Sequence, residues 1–382
     1  MKLIVFTSFV FILTFGIYLS MCCPTVTSDD SGELSGVCAT LGIAHPSGYP
    51  VYSVVGKIIN IFFPFGNNAY RTNLVSVLFG ALTVTFIFYL IANLTQTNTF
   101  FIFLLSFFSV LIVAFSKHFI SMAIVTEVYT LNSFFAVIIL LFMFYNKIPI
   151  EKRFYFISFI FGLSIGNHIT IVFILPCILL WLILNYKDIN FTFKKIVIAM
   201  FFLLLGISIY LYIPLRSVKE PLFDWEDPQT LKRFFNLVRR ARYGGHIAQG
   251  KPLPITLSFI FQEFKLFIEM LSENITSFGV IVFFVLLLLT IRNRFQPGLI
   301  SLLFLILTGP FFFTMARMPV GEQSKALLER FVYLPLVPVG LIIGSGAEAI
   351  YQKNKFFGKV LLVIFLILLT TAINRNFSEL NR

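Results

Sequence analysis

The chain has 382 residues, of which 58% are hydrophobic, 17% aromatic and only 12% charged; a soluble domain carries about 25% charge. That composition excludes a water-soluble globule. A formal charge of +12 would suggest nucleic acid in a soluble protein, but here the 29 Lys and Arg fall mainly in short loops between apolar runs and report membrane topology.

Runs of roughly 17 to 25 apolar residues are what a helix needs to cross a bilayer. The sequence predicts about eleven, at 3–20, 72–93, 99–116, 122–145, 154–167, 169–185, 196–213, 276–291, 298–315, 331–350 and 360–374. Lys2 opens the first run and no small-residue cleavage site follows it, so it reads as a retained span with its N-terminus in the cytoplasm. On that parity Lys147, Lys152, Arg153, Lys187, Lys194, Lys195, Arg292, Arg294, Lys353, Lys355 and Lys359 all fall in inner loops, as the positive-inside rule requires. The run 255–274 carries Glu263, Lys265, Glu269 and Glu273, and is expected to lie in the outer interface as an amphipathic helix.

Two outer segments are long, 21–70 and 214–254. The second holds Arg216, Lys219, Lys232, Arg233, Arg239, Arg240, Arg242 and Lys251 against Glu220, Asp224, Glu226 and Asp227. A basic surplus on the outer side calls for an anionic partner.

In the first outer segment, Asp30 precedes a helix-compatible stretch and Glu33 stands at its third position. That spacing fits a capping box, in which both carboxylates satisfy free N–H groups. It also fits a carboxylate held at the membrane surface as a general base. His45-Pro46-Ser47-Gly48-Tyr49-Pro50 is a rigid turn, where His45 could bond the turn or serve chemistry. Glu127 is expected about five residues inside the fourth span, with Lys117, His118 or the basic loop as partner. His168 follows Asn167 at a tight outer turn, either capping it or touching substrate. The four cysteines show no metal-ligand spacing, and the histidines do not sit at ligand spacing with one another. No metal is assigned, and any divalent-ion requirement stays open. Phosphate loops and nucleophile elbows are absent, which removes nucleotide-driven pumps and serine hydrolases.

Asp30-Ser31-Gly32-Glu33-Leu34, His45 to Pro50 and Ala69-Tyr70-Arg71-Thr72-Asn73-Leu74 resemble the opening signature of a membrane family long described as a domain of unknown function. Its animal member is an endoplasmic-reticulum protein O-mannosyltransferase of plexin-type receptors. The likeness continues through Glu127 to Asn132, Gly166-Asn167-His168, Tyr212 to Ser217, Asp224-Trp225-Glu226-Asp227-Pro228, Arg240 with Tyr243-Gly244, and Glu329-Arg330-Phe331. Ser47 and Arg242 depart from the usual pattern.

The resemblance implies an all-α integral membrane protein of the GT-C glycosyltransferase superfamily, a single polytopic domain over 1–382 with outer loops at 21–70 and 214–275. It implies a polyprenyl-phosphate sugar as donor, mannose or another hexose, and a protein Ser/Thr or glycolipid hydroxyl as acceptor, with membrane lipids around it. Asp30, with Glu33, would act as catalytic base. His45, Tyr49, Arg71, Glu127, Asn167, His168, Arg216, Asp227, Arg240, Tyr243 and Arg330 would bind substrate, Arg240 being the first choice for the donor phosphate and Arg216 and Arg330 the alternates. The expected location is a bacterial inner membrane with the site facing outward. The alternative from a different class is a transporter or flippase of an anionic glycolipid, which would need polar groups along a path to the cytoplasm.

Overall fold

The computed structural model describes residues 2–95, 99–245, 253–319 and 321–380. Lys251, counted above in the basic loop, lies outside them. The described chain is nearly all helix: α1 (Lys2–Met21), α2 (Ser31–Thr40), α3 (Pro50–Phe62), α4 (Asn68–Leu94), α5 (Phe100–Ala114), α6 (Lys117–Ala123), α7 (Tyr129–Phe144), α8 (Ile150–Ile165), α9 (Leu175–Leu184) and α10 (Tyr186–Ile189). The second half contributes α11 (Phe193–Ile207), α12 (Tyr212–Ser217), α13 (Leu231–Val238), α14 (Leu257–Ile275), α15 (Ser277–Asn293), α16 (Phe295–Ile306), α17 (Phe312–Ala316), α18 (Glu322–Glu329), α19 (Leu336–Lys353) and α20 (Lys355–Leu380).

This is an integral membrane protein. Five helical stretches are long and apolar enough to cross a bilayer, at Lys2–Met21, Asn68–Leu94, Phe193–Ser217, Phe295–Ala316 and Lys355–Asn376. Counting each of three bent helix pairs as one broken span raises the number to eight. Each of the eleven expected runs contains helix, but the count of eleven is not reached, because several runs are short or broken. The clearest break is at 122–145. Ile124, Val125, Thr126 and Val128 form a β-branched stretch that is stiff at χ1 and disfavours helix. Here the chain leaves α6 and restarts only at Tyr129. Glu127 therefore sits in an irregular connection and not inside a helix. Its backbone N–H donates to Ser76 Oγ and its carbonyl accepts from the same hydroxyl (3.3 and 3.2 Å), so the polar backbone of the break is satisfied against α4.

The bundle is organised around α4 and α19. In α19 every residue from Leu336 to Ala349 is buried, and glycines at 340, 344 and 346 let neighbouring helices approach. α19 packs against α5, α15, α16, α20 and α4, while α4 also meets α1 and α7. At the end opposite the outer loops, Arg294 donates to the buried Glu348 at 2.6 Å, and Gln352 donates to the other carboxylate oxygen at 2.7 Å. A charge taken out of water needs this kind of pairing.

The run expected to be an amphipathic helix at the outer interface forms the helix α14, which together with α15 is also one of the three bent pairs long and apolar enough to be a broken span. It turns Phe259, Glu263, Leu266, Phe267, Met270 and Asn274 inward at helical spacing and meets α15 at 102°. Among the described residues, the strand-like feature is an isolated parallel bridge between Ile43 and Asp224. That bridge docks the second outer segment onto the first and builds the site.

Candidate active site

The first wall is the turn into α2. Asp30 occupies the N-cap position, yet its backbone is helical (φ −79°, ψ −2°) and its side chain makes no cap bond. The capping reading of Asp30 is thus corrected, since a cap residue must be extended for its side chain to curl back onto the N–H groups. The carboxylate faces outward instead. Asp29 takes the left-handed conformation that aspartate tolerates (φ 60°) and pairs with Arg330 Nη2 at 3.0 Å. Asp30 Oδ2 lies 3.9 Å from Arg330 Nη1.

Glu33, one turn on, does not close a capping box either. Its Oε1 accepts from the backbone N–H of His45 at 2.7 Å and lies 3.2 Å from His45 Nδ1. The turn that follows closes with the Gly48 N–H donating to the His45 carbonyl at 2.7 Å. Gly48 (φ 91°) and Tyr49 (φ 42°) take left-handed backbone there, and Pro50 opens α3, where its missing N–H costs nothing. Tyr49 Oη then stands 3.1 Å from His45 Nε2, and burial pushes its phenol pKa up, so the hydroxyl is neutral.

The second wall comes from the bundle. His168 caps the turn after α8, its Nδ1 accepting from the Thr170 N–H (3.3 Å) and meeting Thr170 Oγ1 (2.7 Å). Its ring stacks on Tyr49 at 5.8 Å between centroids, with Tyr129 at 5.4 Å and Phe331 at 6.1 Å. The two readings of His168 left open by the sequence are therefore compatible: the same ring caps the turn and faces the site.

The third wall is the segment after α11. Phe223 lies over α2 so closely that a Cβ on Gly36 would stand 2.4 Å from its ring, and one on Gly42 would stand 2.8 Å from Phe223. Ile43 N–H donates to the Phe223 carbonyl at 2.7 Å. Leu41 ends α2 in a left-handed conformation that leaves carbonyls exposed, and Arg216 and Tyr212 take them: Arg216 Nε donates to Leu41 O (2.7 Å), Nη2 to Thr40 O (3.1 Å), and Tyr212 Oη to Gly42 O (2.7 Å). Ser217 Oγ donates to Asp224 Oδ2 at 2.9 Å, and burial raises the pKa of that carboxyl against this bond. Trp225 is thereby fixed beside His45, with ring centroids 6.3 Å apart.

These walls enclose a cavity of about 430 Å³. Asp30, Glu33, His45, Tyr49, His168, Arg240, Tyr243 and Arg330, all expected from the sequence, line it together with Asp29. Its charges are unevenly spent. Arg330 is paired with Asp29, whereas Arg240, held in a left-handed turn (φ 57°) with its guanidinium 5.2 Å from the Tyr243 ring centroid, has no carboxylate within 4.0 Å among the described residues. Among the described residues its Nε is buried without a hydrogen-bond partner. A desolvated, unpaired donor aimed at a cavity is the feature of an anion site.

Five expected residues lie outside the lining. Arg71 donates to the carbonyls of Pro64, Phe65 and Gly66 and ties the turn before α4. Asn167 donates to the Val128 carbonyl at 3.1 Å. Arg216 is committed to the end of α2, and Asp227 pairs with Arg233. Glu127 is buried, and two of its expected partners are engaged elsewhere: Lys117 Nζ reaches Glu273 at 3.2 Å, and His118 stands between Glu273 and Glu329. The cation acting on Glu127 is Arg330.

The ligand atoms of His118, Glu273 and Glu329 lie within 4.8 Å of one another, close enough for a metal ion. Lys117 and Lys325 pair with Glu273 at 3.2 and 2.7 Å, so the carboxylate charge is already balanced and the group reads as a tether between α6, α14 and α18. The sequence assigned no role to Trp225, Tyr129 or Phe331, although they stood within recognised motifs. Met318 and Leu327 also line the cavity and carry no signal beyond being apolar.

Comparison with known proteins agrees with this architecture. Residues 30–192 match the family described as the Protein O-mannosyl-transferase TMEM260 N-terminal domain. Protein O-mannosyl-transferase TMEM260 of Mus musculus is 26% identical over 335 residues, covering 85% of this chain and 47% of the mouse protein. Protein O-mannosyl-transferase tmem260 of Dictyostelium discoideum is 26% identical over 358 residues, covering 86% of this chain and 42% of its own. The chain thus spans less than half the length of these relatives. Among solved structures, ArnT from Cupriavidus metallidurans bound to undecaprenyl phosphate superposes with a TM-score of 0.62 at 13% identity, covering 94% of this chain and 63% of ArnT. The apo state of the same protein gives 0.62 at 12% identity, covering 94% and 62%. At that identity the likeness is one of fold, and the fold is the GT-C bundle that the motifs implied.

Proposed function

We propose that the chain is a glycosyltransferase that moves a sugar, mannose by analogy with its relatives' names, from a polyprenyl-phosphate donor to a hydroxyl acceptor, a protein Ser or Thr, on the outer face of the membrane. The observation that carries the reading is the pairing, in one cavity at the outer loops, of a solvent-facing carboxylate that makes no capping bond (Asp30) with an arginine that has no carboxylate partner among the described residues (Arg240). ArnT, whose fold this chain shares, is a protein solved with undecaprenyl phosphate bound, which supports a lipid-phosphate donor here.

The chemistry assigns each group one task. The acceptor oxygen attacks the anomeric carbon and the bond from that carbon to the phosphate oxygen breaks, its electron pair leaving with the phosphate. The acceptor proton passes to Asp30, a step worth about 10² to 10⁴ in rate. Arg240 takes the charge that develops on the departing phosphate, and Arg330 holds Asp29 and Asp30 in place while adding positive potential. Tyr49, Trp225 and Tyr243 offer the aromatic surface against which a sugar ring can lie. With Lys2 and the basic inner loops in the cytoplasm, the cavity opens to the outside.

The test is mass spectrometry of membrane and exported proteins from cells with and without the gene. Loss of a hexose from Ser or Thr peptides in the deletion, restored by the wild-type gene, is the expected result; an unchanged glycan inventory would refute the reading.

A further inference from the structure

The proposed function uses Asp30 as base and leaves unexplained why Glu33, one helical turn away, spends its carboxylate on His45. Glu33 Oε1 binds His45 twice, at the backbone N–H (2.7 Å) and at Nδ1 (3.2 Å). A carboxylate on Nδ1 places the ring proton there and turns Nε2 outward, the arrangement by which an acid orients a working imidazole. Nε2 then faces two groups, Tyr49 Oη at 3.1 Å and Asp30 Oδ2 at 4.0 Å. Asp30 is open to the cavity, so a small rotation of its carboxyl closes the remaining gap. Tyr49 packs on the ring edge-on at 4.9 Å and Trp225 meets it at 6.3 Å, contacts that restrict its movement.

We infer that Glu33 and His45 form the proton outlet of the site: after transfer, His45 Nε2 takes the proton from Asp30, and Glu33 is the positioning residue that holds the ring ready for it. The inference rests on the glycosyltransferase reading and deepens it. The step balances without a further reactant: the Tyr49 hydroxyl, which donates to Nε2 beforehand, turns its hydrogen away as the proton arrives. Asp30 loses the proton it gained from the acceptor hydroxyl and returns to carboxylate, while His45 becomes an imidazolium whose positive charge is met by Glu33. The imidazolium then gives its proton to water in the open cavity.

The groups facing His45 are Glu33 from α2, Asp30 from the turn before it, Tyr49 from the turn before α3 and Trp225 from the second outer segment. The guanidinium groups of Arg240 and Arg330 share the cavity. Glu33 is the acid bonded to the ring. Removing its charge disfavours the imidazolium and moves any activity limb that depends on it toward lower pH.

The experiment is a double-mutant cycle on the full chain, with polyprenyl-phosphate mannose as donor and release of polyprenyl phosphate as the signal. Glu33→Gln preserves size and the bond from the His45 backbone, and thermal stability is followed alongside. The expected result is that Glu33→Gln and His45→Gln each lower kcat by about tenfold or more with little change in donor KM, and that the double variant is no slower than His45→Gln alone. Glu33→Gln should also shift the acid limb of kcat to lower pH, which a purely structural role would not do. If the two effects multiply, or if the acid limb stays in place, Glu33 does not act through His45 and the outlet is refuted while the glycosyltransferase reading stands. If the wild-type chain releases no polyprenyl phosphate, both fall together.

Discussion

Arg330, at the end of α18, reaches across to the first outer segment and lies 3.0 Å from Asp29, with Asp30 at 3.9 Å from the same guanidinium. The contact joins the two ends of the fold at the site. The group around His118 adjoins it: Glu329, the residue before Arg330, lies 3.7 Å from His118, and Glu273 links Lys117 to Lys325. Arg330→Lys keeps the charge but loses the fork that addresses both aspartates. It should reduce turnover while leaving the bundle folded, and unchanged turnover measured beside an unchanged melting temperature would remove Arg330 from the site.

Arg240 and Arg216 stand in the same basic segment but should behave differently. Arg240→Ala is expected to raise donor KM by one to two orders of magnitude, since a charge-assisted contact to phosphate is worth about 1.5 to 3 kcal/mol. Arg216→Ala should lower thermal stability, because it removes the side-chain donor to the Thr40 carbonyl and one of the two donors, with Tyr212 Oη, to the Leu41 carbonyl at the end of α2. Donor titration and melting curves on both variants check this; identical behaviour of the two would contradict the assignment.

Trp225 offers an optical probe. The chain has two tryptophans, and Trp181 is buried in the bundle with its indole N–H donating to Met143 O at 2.8 Å. In a Trp181→Phe variant the remaining emission comes from Trp225, so adding polyprenyl phosphate in detergent should change its intensity or wavelength if the phosphate enters the cavity. A flat titration, with binding proved independently, would place the lipid site elsewhere.

Topology is open to chemical labelling. Cysteine introduced at Lys232 should react with an impermeant maleimide from outside intact cells, and cysteine at Lys353 only after the inner face is opened. The reverse pattern would invert the orientation assigned to the whole chain.

The motif at 28–50 was legible because its residues act locally: Asp30, Glu33, His45 and Tyr49 lie within about three turns of helix and one tight turn, and the structure brings their side chains together. The basic loop that holds Arg240 and the turn that holds His168 stood out by themselves, but that they join Tyr243 and Arg330 at one site was legible only through resemblance, since spacing along the chain does not say that three distant segments meet. Arg216 misled because a basic residue in an outer loop looks the same whether it awaits a ligand or caps α2. Glu127 misled because the apolar run around it hides a β-branched break, and hydropathy averages over such a break. Met318 and Leu327 carry no polar or periodic signal, so only the fold could place them at the cavity.

The central claim is that Asp30 is the base, and Asp30→Asn tests it most directly. The structure gives its side chain no capping bond, so neither Asp30→Asn nor Asp30→Ala should incur the roughly 1 kcal/mol loss of stability that removing an N-cap brings. Purified wild-type and variant chains are given polyprenyl-phosphate mannose and a Ser/Thr acceptor, with turnover and melting temperature measured together. The account predicts an unchanged melting temperature and a turnover lower by about 10² to 10⁴. Turnover near that of the wild type in a folded Asp30→Asn chain would contradict it.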